Sequence, residues 1–125
     1  AMSHPPLHHP DRYPRLQIRL WLGADCWIGP GKADLLELIG QTGSISEAGR
    51  RMGMSYKRAW SLVEGLNRIF KAPLVTSERG GAGGGGAALT PLGDEVVMRF
   101  RRIEAAAQNG ADADMAALRA LHIGG

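Results

Sequence analysis

The chain has a single cysteine, Cys26, among 125 residues, so it can hold neither an internal disulfide nor a zinc site built from cysteines. No uninterrupted apolar run approaches the ~18 residues that a membrane-spanning helix requires. The first fifteen residues are rich in proline and histidine, lack an apolar centre and do not read as a signal peptide. Together these absences lead us to expect a soluble protein of a reducing compartment, most simply the cytoplasm. Histidine is scarce where catalysis would need it: His4, His8 and His9 lie in the proline-rich start, and His122 is near the end. No histidine is close to a candidate nucleophile. Asp94, Glu95 and Glu47 fall on expected solvent faces of helices, where carboxylates serve capping and solubility. We therefore expect no enzyme, no metal site and no cofactor. A phosphate-cradling loop is missing as well: Gly31-Lys32 is followed by Ala33, and Cys26 stands where the first glycine would have to be.

Glycine, by contrast, is abundant, 18 residues in all, twice the ordinary share. The apolar share of 44% and charged share of 22% are those of a globular domain. Net charge is +3, and it is unevenly spread. Seven basic and three acidic residues between Ser44 and Gly86 leave +4 in that third of the chain, against −1 in the remainder. Such a basic region suits a phosphate backbone.

Residues 1–14 read as a disordered tail, with Ala1-Met2 an expression scar ahead of a natural start. Leu16, Ile18, Leu20 and Leu22 alternate as one face of a half-buried strand, and Cys26-Trp27-Ile28 returns as a second. A helix from about Lys32 to Thr42 places Ala33, Leu36 and Ile39 on one side beside Leu35. The next segment has helix-turn-helix spacing. Ser46 caps a short helix of Glu47–Met52, Gly53 turns the chain, and Ser55 caps a helix from Tyr56 to about Lys71. Ala48 is small enough to let the two helices approach. Leu74–Glu78 and Ala87–Leu89 are expected strands of a hairpin with a glycine tip at 79–86. Thr90 caps a further helix with Pro91 at its first position, and Asn109-Gly110 ends it. Met115, Leu118 and Leu121 suggest a last short helix within residues 109–125.

The fold class expected is mainly α with a β-hairpin wing: a winged helix-turn-helix over residues 15–108, with a C-terminal dimerisation helix at 91–108. On the Tyr56 helix, Ala59, Leu62, Val63, Leu66, Ile69 and Phe70 gather on a core face with Tyr56 and Trp60 at its edge. Lys57, Ser61, Glu64 and Arg68 lie opposite, flanked by Arg58. A recognition helix enters the major groove N-terminal end first, so its cations and donors belong in these first turns. The candidate DNA-contacting residues are Ser44, Arg50, Arg51, Ser55, Tyr56, Lys57, Arg58, Ser61, Arg68, Arg79, Gly80 and Gly81. Arg50 and Arg51 are phosphate anchors rather than base readers. For Tyr56, packing and base contact both stand. So do a wing and a plain surface loop for the glycine tip.

Several of these runs occur together in one family. Gly43-Ser44-Ile45-Ser46, Gly53-Met54-Ser55-Tyr56-Lys57-Arg58-Ala59-Trp60, Leu74-Val75, Gly80-Gly81, Gly83-Gly84-Gly85-Gly86-Ala87, Leu89-Thr90 and Gly93 resemble the DNA-binding domain of ModE-type molybdate-responsive regulators, whose winged helix is of the LysR type. The resemblance implies a homodimer on double-stranded DNA, with the Tyr56 helix in the major groove, the glycine hairpin as wing and the Pro91 helix pairing subunits. Ala82 departs from the family, whose wing commonly carries a basic residue there. Full-length members also carry C-terminal molybdate-binding modules, for which 18 residues after Ala107 are too few, so molybdate binding by this chain is not expected.

Val96, Val97, Phe100, Ile103 and Ala107 are the candidate dimerisation residues. Leu92, Val96, Phe100, Ile103 and Ala107 form the main stripe of the helix. Val97 lies outside it and Met98 nearly opposite, surplus that a second copy would cover unless residues 111–121 fold back. The alternative function is a winged-helix interaction module that dimerises and binds DNA weakly or not at all.

Overall fold

The computed structural model describes residues 13–78 and 86–124. Its order is β1 (Leu20–Gly23), β2 (Cys26–Ile28), α1 (Pro30–Thr42), α2 (Ile45–Arg51), α3 (Tyr56–Ile69), β3 (Val75–Ser77), β4 (Ala87–Leu89) and α4 (Pro91–Leu121). This is a helix-rich domain with two small antiparallel hairpins, β1–β2 and β3–β4. None of its described helices is long and apolar enough to cross a membrane.

Pro30 opens α1, where its missing N–H is harmless, and Gly43 closes it in the left-handed region at φ 70°. Leu35, Leu36 and Ile39 of α1 form the main core with Ile45 and Ala48 of α2, Ala59, Val63 and Leu66 of α3, and Leu74, Val75 and Val97. Ile28, Ala33 and Phe100 make a second, smaller cluster where the first hairpin meets α1 and α4. Beside it, Trp27 carries the Arg19 guanidinium 3.9 Å and the Lys32 ammonium 3.7 Å from its ring centroid. Lys32 also donates to the Trp27 carbonyl at 3.1 Å. Its own burial, reinforced by the charge of Arg19, pulls the Lys32 pKa below the ordinary lysine value.

Four expectations need correction. The first strand begins at Leu20, and Leu16 and Leu22 are exposed. A bulge between Trp21 and Gly23 breaks the pairing there, so the alternation does not carry a single buried face. The cap of α2 is Ser44, not Ser46: Ser44 Oγ accepts from the Glu47 N–H at 3.0 Å. Asn109-Gly110 does not end α4, which runs 31 residues without a break and takes in the expected last helix. Seven alanines from Ala105 to Ala117 favour helix strongly enough to carry it past one glycine.

The buried stripe of α4 is rotated too. It runs Gly93, Val97, Phe100 and Glu104, while Ile103 is 39% exposed. A Cβ at Gly93 would lie 2.2 Å from the Leu74 carbonyl oxygen, so this glycine is what lets α4 pack against the backbone just before β3. Val97 (8% exposed) and Phe100 (1%) are thereby committed to the chain's own core. They cannot form part of an open dimer face.

One polar cluster bridges α1 and α4. Arg101 donates to Asp34 and Glu37 of α1 and, at 2.9 Å, to Glu104 on its own helix. Burial works against the Arg101 charge, but its hydrogen bonds to Glu37, Glu104 and Asp34 outweigh it and hold the pKa well above the ordinary arginine value.

Candidate nucleic-acid interface

The second and third helices are joined by Met52–Ser55, with Gly53 at φ 72°, a conformation that glycine adopts without strain. Their close packing depends on Gly49 as well as Ala48: a Cβ at Gly49 would lie 2.7 Å from the Ala59 Cβ. Ser55 caps α3 by accepting from the Arg58 N–H at 3.1 Å. At its far end Asn67 pins α3 to the second hairpin. Its Oδ1 accepts from the Leu74 N–H at 2.8 Å and the Val75 N–H at 3.1 Å, and its Nδ2 donates to the Val75 carbonyl at 3.1 Å. Thus α3 is capped at its start and, near its end, tied to the second hairpin by one amide side chain beside the shared core packing of Val63 and Leu66 with Leu74 and Val75. The reading from sequence missed Asn67, although an uncharged polar residue on the otherwise apolar side of α3 was the available signal.

With Ala59, Val63 and Leu66 buried, α3 turns Tyr56, Lys57, Arg58, Ser61, Glu64, Gly65 and Arg68 outward. Tyr56 is 60% exposed and meets Trp60 edge-on at 6.0 Å between centroids. Trp60 packs against the main core with its indole N–H buried and without a hydrogen-bond acceptor among the described residues. Lys57, Arg58 and Arg68 have no carboxylate partner among the described residues. The first turn of α3 has no acidic residue. Two cations therefore stand at the positive end of the helix dipole, an arrangement that costs energy within the chain and favours an external anion.

The other expected contacts divide. Arg50 and Arg51 lie on α2, and both are tied to Glu47, at 2.6 Å and 3.0 Å. Hydrogen bonds from Arg50 and then Arg51 pull the Glu47 carboxyl down to about 2. Ser44 and Ser55 are both engaged as helix caps. Arg79, Gly80 and Gly81 lie outside the described residues, but the hairpin that carries them is in place. Val75, Thr76 and Ser77 pair with Leu89, Ala88 and Ala87, and the Glu78 N–H donates to the Gly86 carbonyl at 2.8 Å. The β4 strand is in turn held to the α1–α2 turn by the Ala87 N–H on the Gly43 carbonyl, 2.8 Å.

No family model matches the chain. Among curated proteins it is 47% identical over 78 residues to the molybdenum-pterin-binding protein MopB of Rhodobacter capsulatus, covering 62% of this chain and 29% of that one. It is 38% identical over 102 residues to the molybdenum transport protein ModE of Azotobacter vinelandii, covering 78% and 37%. To the DNA-binding transcriptional dual regulator ModE of Escherichia coli K12 it is 35% identical over 83 residues, covering 66% and 32%. The chain is thus related to ModE and Mop proteins, and it spans about a third of the length of these relatives.

Proposed function

We propose that the chain is a sequence-specific, double-stranded DNA-binding transcriptional regulator acting as a homodimer. In this reading α2, the Gly53 turn and α3 form a helix-turn-helix, and β3–β4 with residues 79–86 is its wing. The N-terminal end of α3 enters the major groove, and the wing follows the phosphate backbone. One observation carries the proposal: Lys57 and Arg58 occupy the first turn of α3, exposed, with no carboxylate among the described residues to neutralise them. Relatives named as transcriptional regulators support it.

Within that reading Lys57, Arg58 and Arg68 grip phosphates, while Tyr56 and Ser61 face the groove. Ser44 and Ser55 position their helices and offer backbone or hydroxyl contacts at the helix starts. Arg50 and Arg51 contribute only in competition with Glu47. Dimerisation runs through α4, on Val96, Ile103 and Ala107, since Val97 and Phe100 are already packed inward.

The test is a Lys57→Ala, Arg58→Ala double variant. Its far-UV circular dichroism should match wild type and its melting should be equal or higher, because both side chains are exposed and oppose the dipole at the start of α3. Its duplex affinity should fall by at least tenfold at moderate salt, since each lost phosphate contact also flattens the salt slope by ~0.9. A folded variant with wild-type affinity would remove α3 from the interface.

A further inference from the structure

We infer that Gly65 marks the point where one sugar–phosphate strand of a DNA duplex comes closest to α3, between phosphates held by Arg58 and Arg68. This rests on the proposed DNA-reading role of α3. Arg58, Ser61, Gly65 and Arg68 follow at intervals of three, four and three residues, so they form one exposed stripe along the helix. At ~1.5 Å of rise per residue the two arginines stand ~15 Å apart along the axis.

Glycine weakens a helix interior, and at three other helical positions of this domain close contact explains its presence. A Cβ would lie 2.7 Å from the Ala59 Cβ at Gly49, 2.2 Å from the Leu74 carbonyl oxygen at Gly93, and 3.2 Å from Leu89 at Gly40. At Gly65 it would meet nothing within 4 Å, and the backbone there is not in the left-handed region. Nothing within the described chain requires a glycine at this position. Gly110 of α4 is open in the same way, but its neighbours are Asp112 and Asp114, not cations.

At Gly65 the surface of α3 drops to bare backbone between two guanidinium groups that have no carboxylate partner among the described residues. A deoxyribose–phosphate strand can close to van der Waals contact there, within reach of both arginines. A side chain at this position would hold the strand away and weaken binding by steric bulk, without removing a charge.

The experiment uses the full chain, with Gly65→Ala, Gly65→Leu and, as control, Gly31→Ala. Gly31 is equally open but lies in the first turn of α1. The probe is the duplex that wild-type protein selects from a pool of short random-sequence duplexes. Affinity is read across a salt series, alongside melting. We expect Gly65→Ala to raise Tm by ~2–6 °C, to bind several-fold more weakly, and to keep the wild-type salt slope because no cation is lost. Gly65→Leu should lose more than tenfold, and Gly31→Ala should bind as wild type. Wild-type affinity in Gly65→Leu, or in Gly65→Ala if the leucine variant does not fold, overturns the inference while leaving the DNA-binding reading intact. A flattened slope in Gly65→Ala also overturns it. A wild-type protein that selects no duplex overturns both.

Discussion

Glu47 has two roles. Its backbone N–H receives the Ser44 cap, and its carboxylate holds Arg50 and Arg51. The serine and glutamate three residues apart are the pattern of a capping box, which marks Ser44 rather than Ser46 as the helix start. Here the glutamate turns toward the arginines instead of back to the cap. Because its carboxyl is held at about 2, below the ordinary 4.5, the ion pairs add stability above pH ~4.5 and lose it as pH falls toward 2. Glu47→Gln should therefore melt below wild type near neutral pH and converge with it near pH 2, as a melting series would show. The same variant frees both arginines, so its duplex affinity should rise several-fold. An unchanged affinity would mean that Arg50 and Arg51 do not face the backbone. Such residue-level features as the Gly53 turn and the Ser55 and Thr90 caps were legible in sequence, because each depends on neighbours within a few positions.

Among the elements, α4 was the least legible. Its start at Thr90-Pro91 is local chemistry, but its rotation is set by Gly93 against Leu74, far away in the chain, and by the Arg101 cluster. The Arg101 partners on α1 are 64 and 67 residues away, a separation that helical periodicity cannot reveal. Arg101 belongs to a cluster of three carboxylates, so Arg101→Met strands negative charge at a half-buried site. We expect a loss of ~3 kcal/mol and a fall in Tm of ~10 °C or more. Adding Glu37→Gln should restore part of that loss, and calorimetry of the single and double variants checks both. Equal melting of wild type and Arg101→Met would show that the cluster contributes nothing to the α1–α4 contact.

For the whole molecule, exposed apolar surface is concentrated on β1 and α4: Trp21 and Leu22, then Met98, Ile103, Leu118 and Leu121. A 31-residue helix is ~46 Å long, more than one small domain can cover. Its length and exposed side chains suit a second copy of α4. We expect sedimentation of a dimer at tens of micromolar, and of a folded monomer for Ile103→Glu. Phe100→Glu, by contrast, should unfold, because Phe100 is buried against Ile28 and Ala33. A monomeric wild type at those concentrations would leave the DNA-reading model with a single half-site.

The central claim is that a duplex meets the exposed cations of α3, and the salt dependence of wild-type duplex binding tests it most directly. With Lys57, Arg58 and Arg68 from two copies on phosphates, log affinity against log salt should fall with a slope of roughly −5. Binding that is absent at low salt, or that is indifferent to salt, would contradict the account.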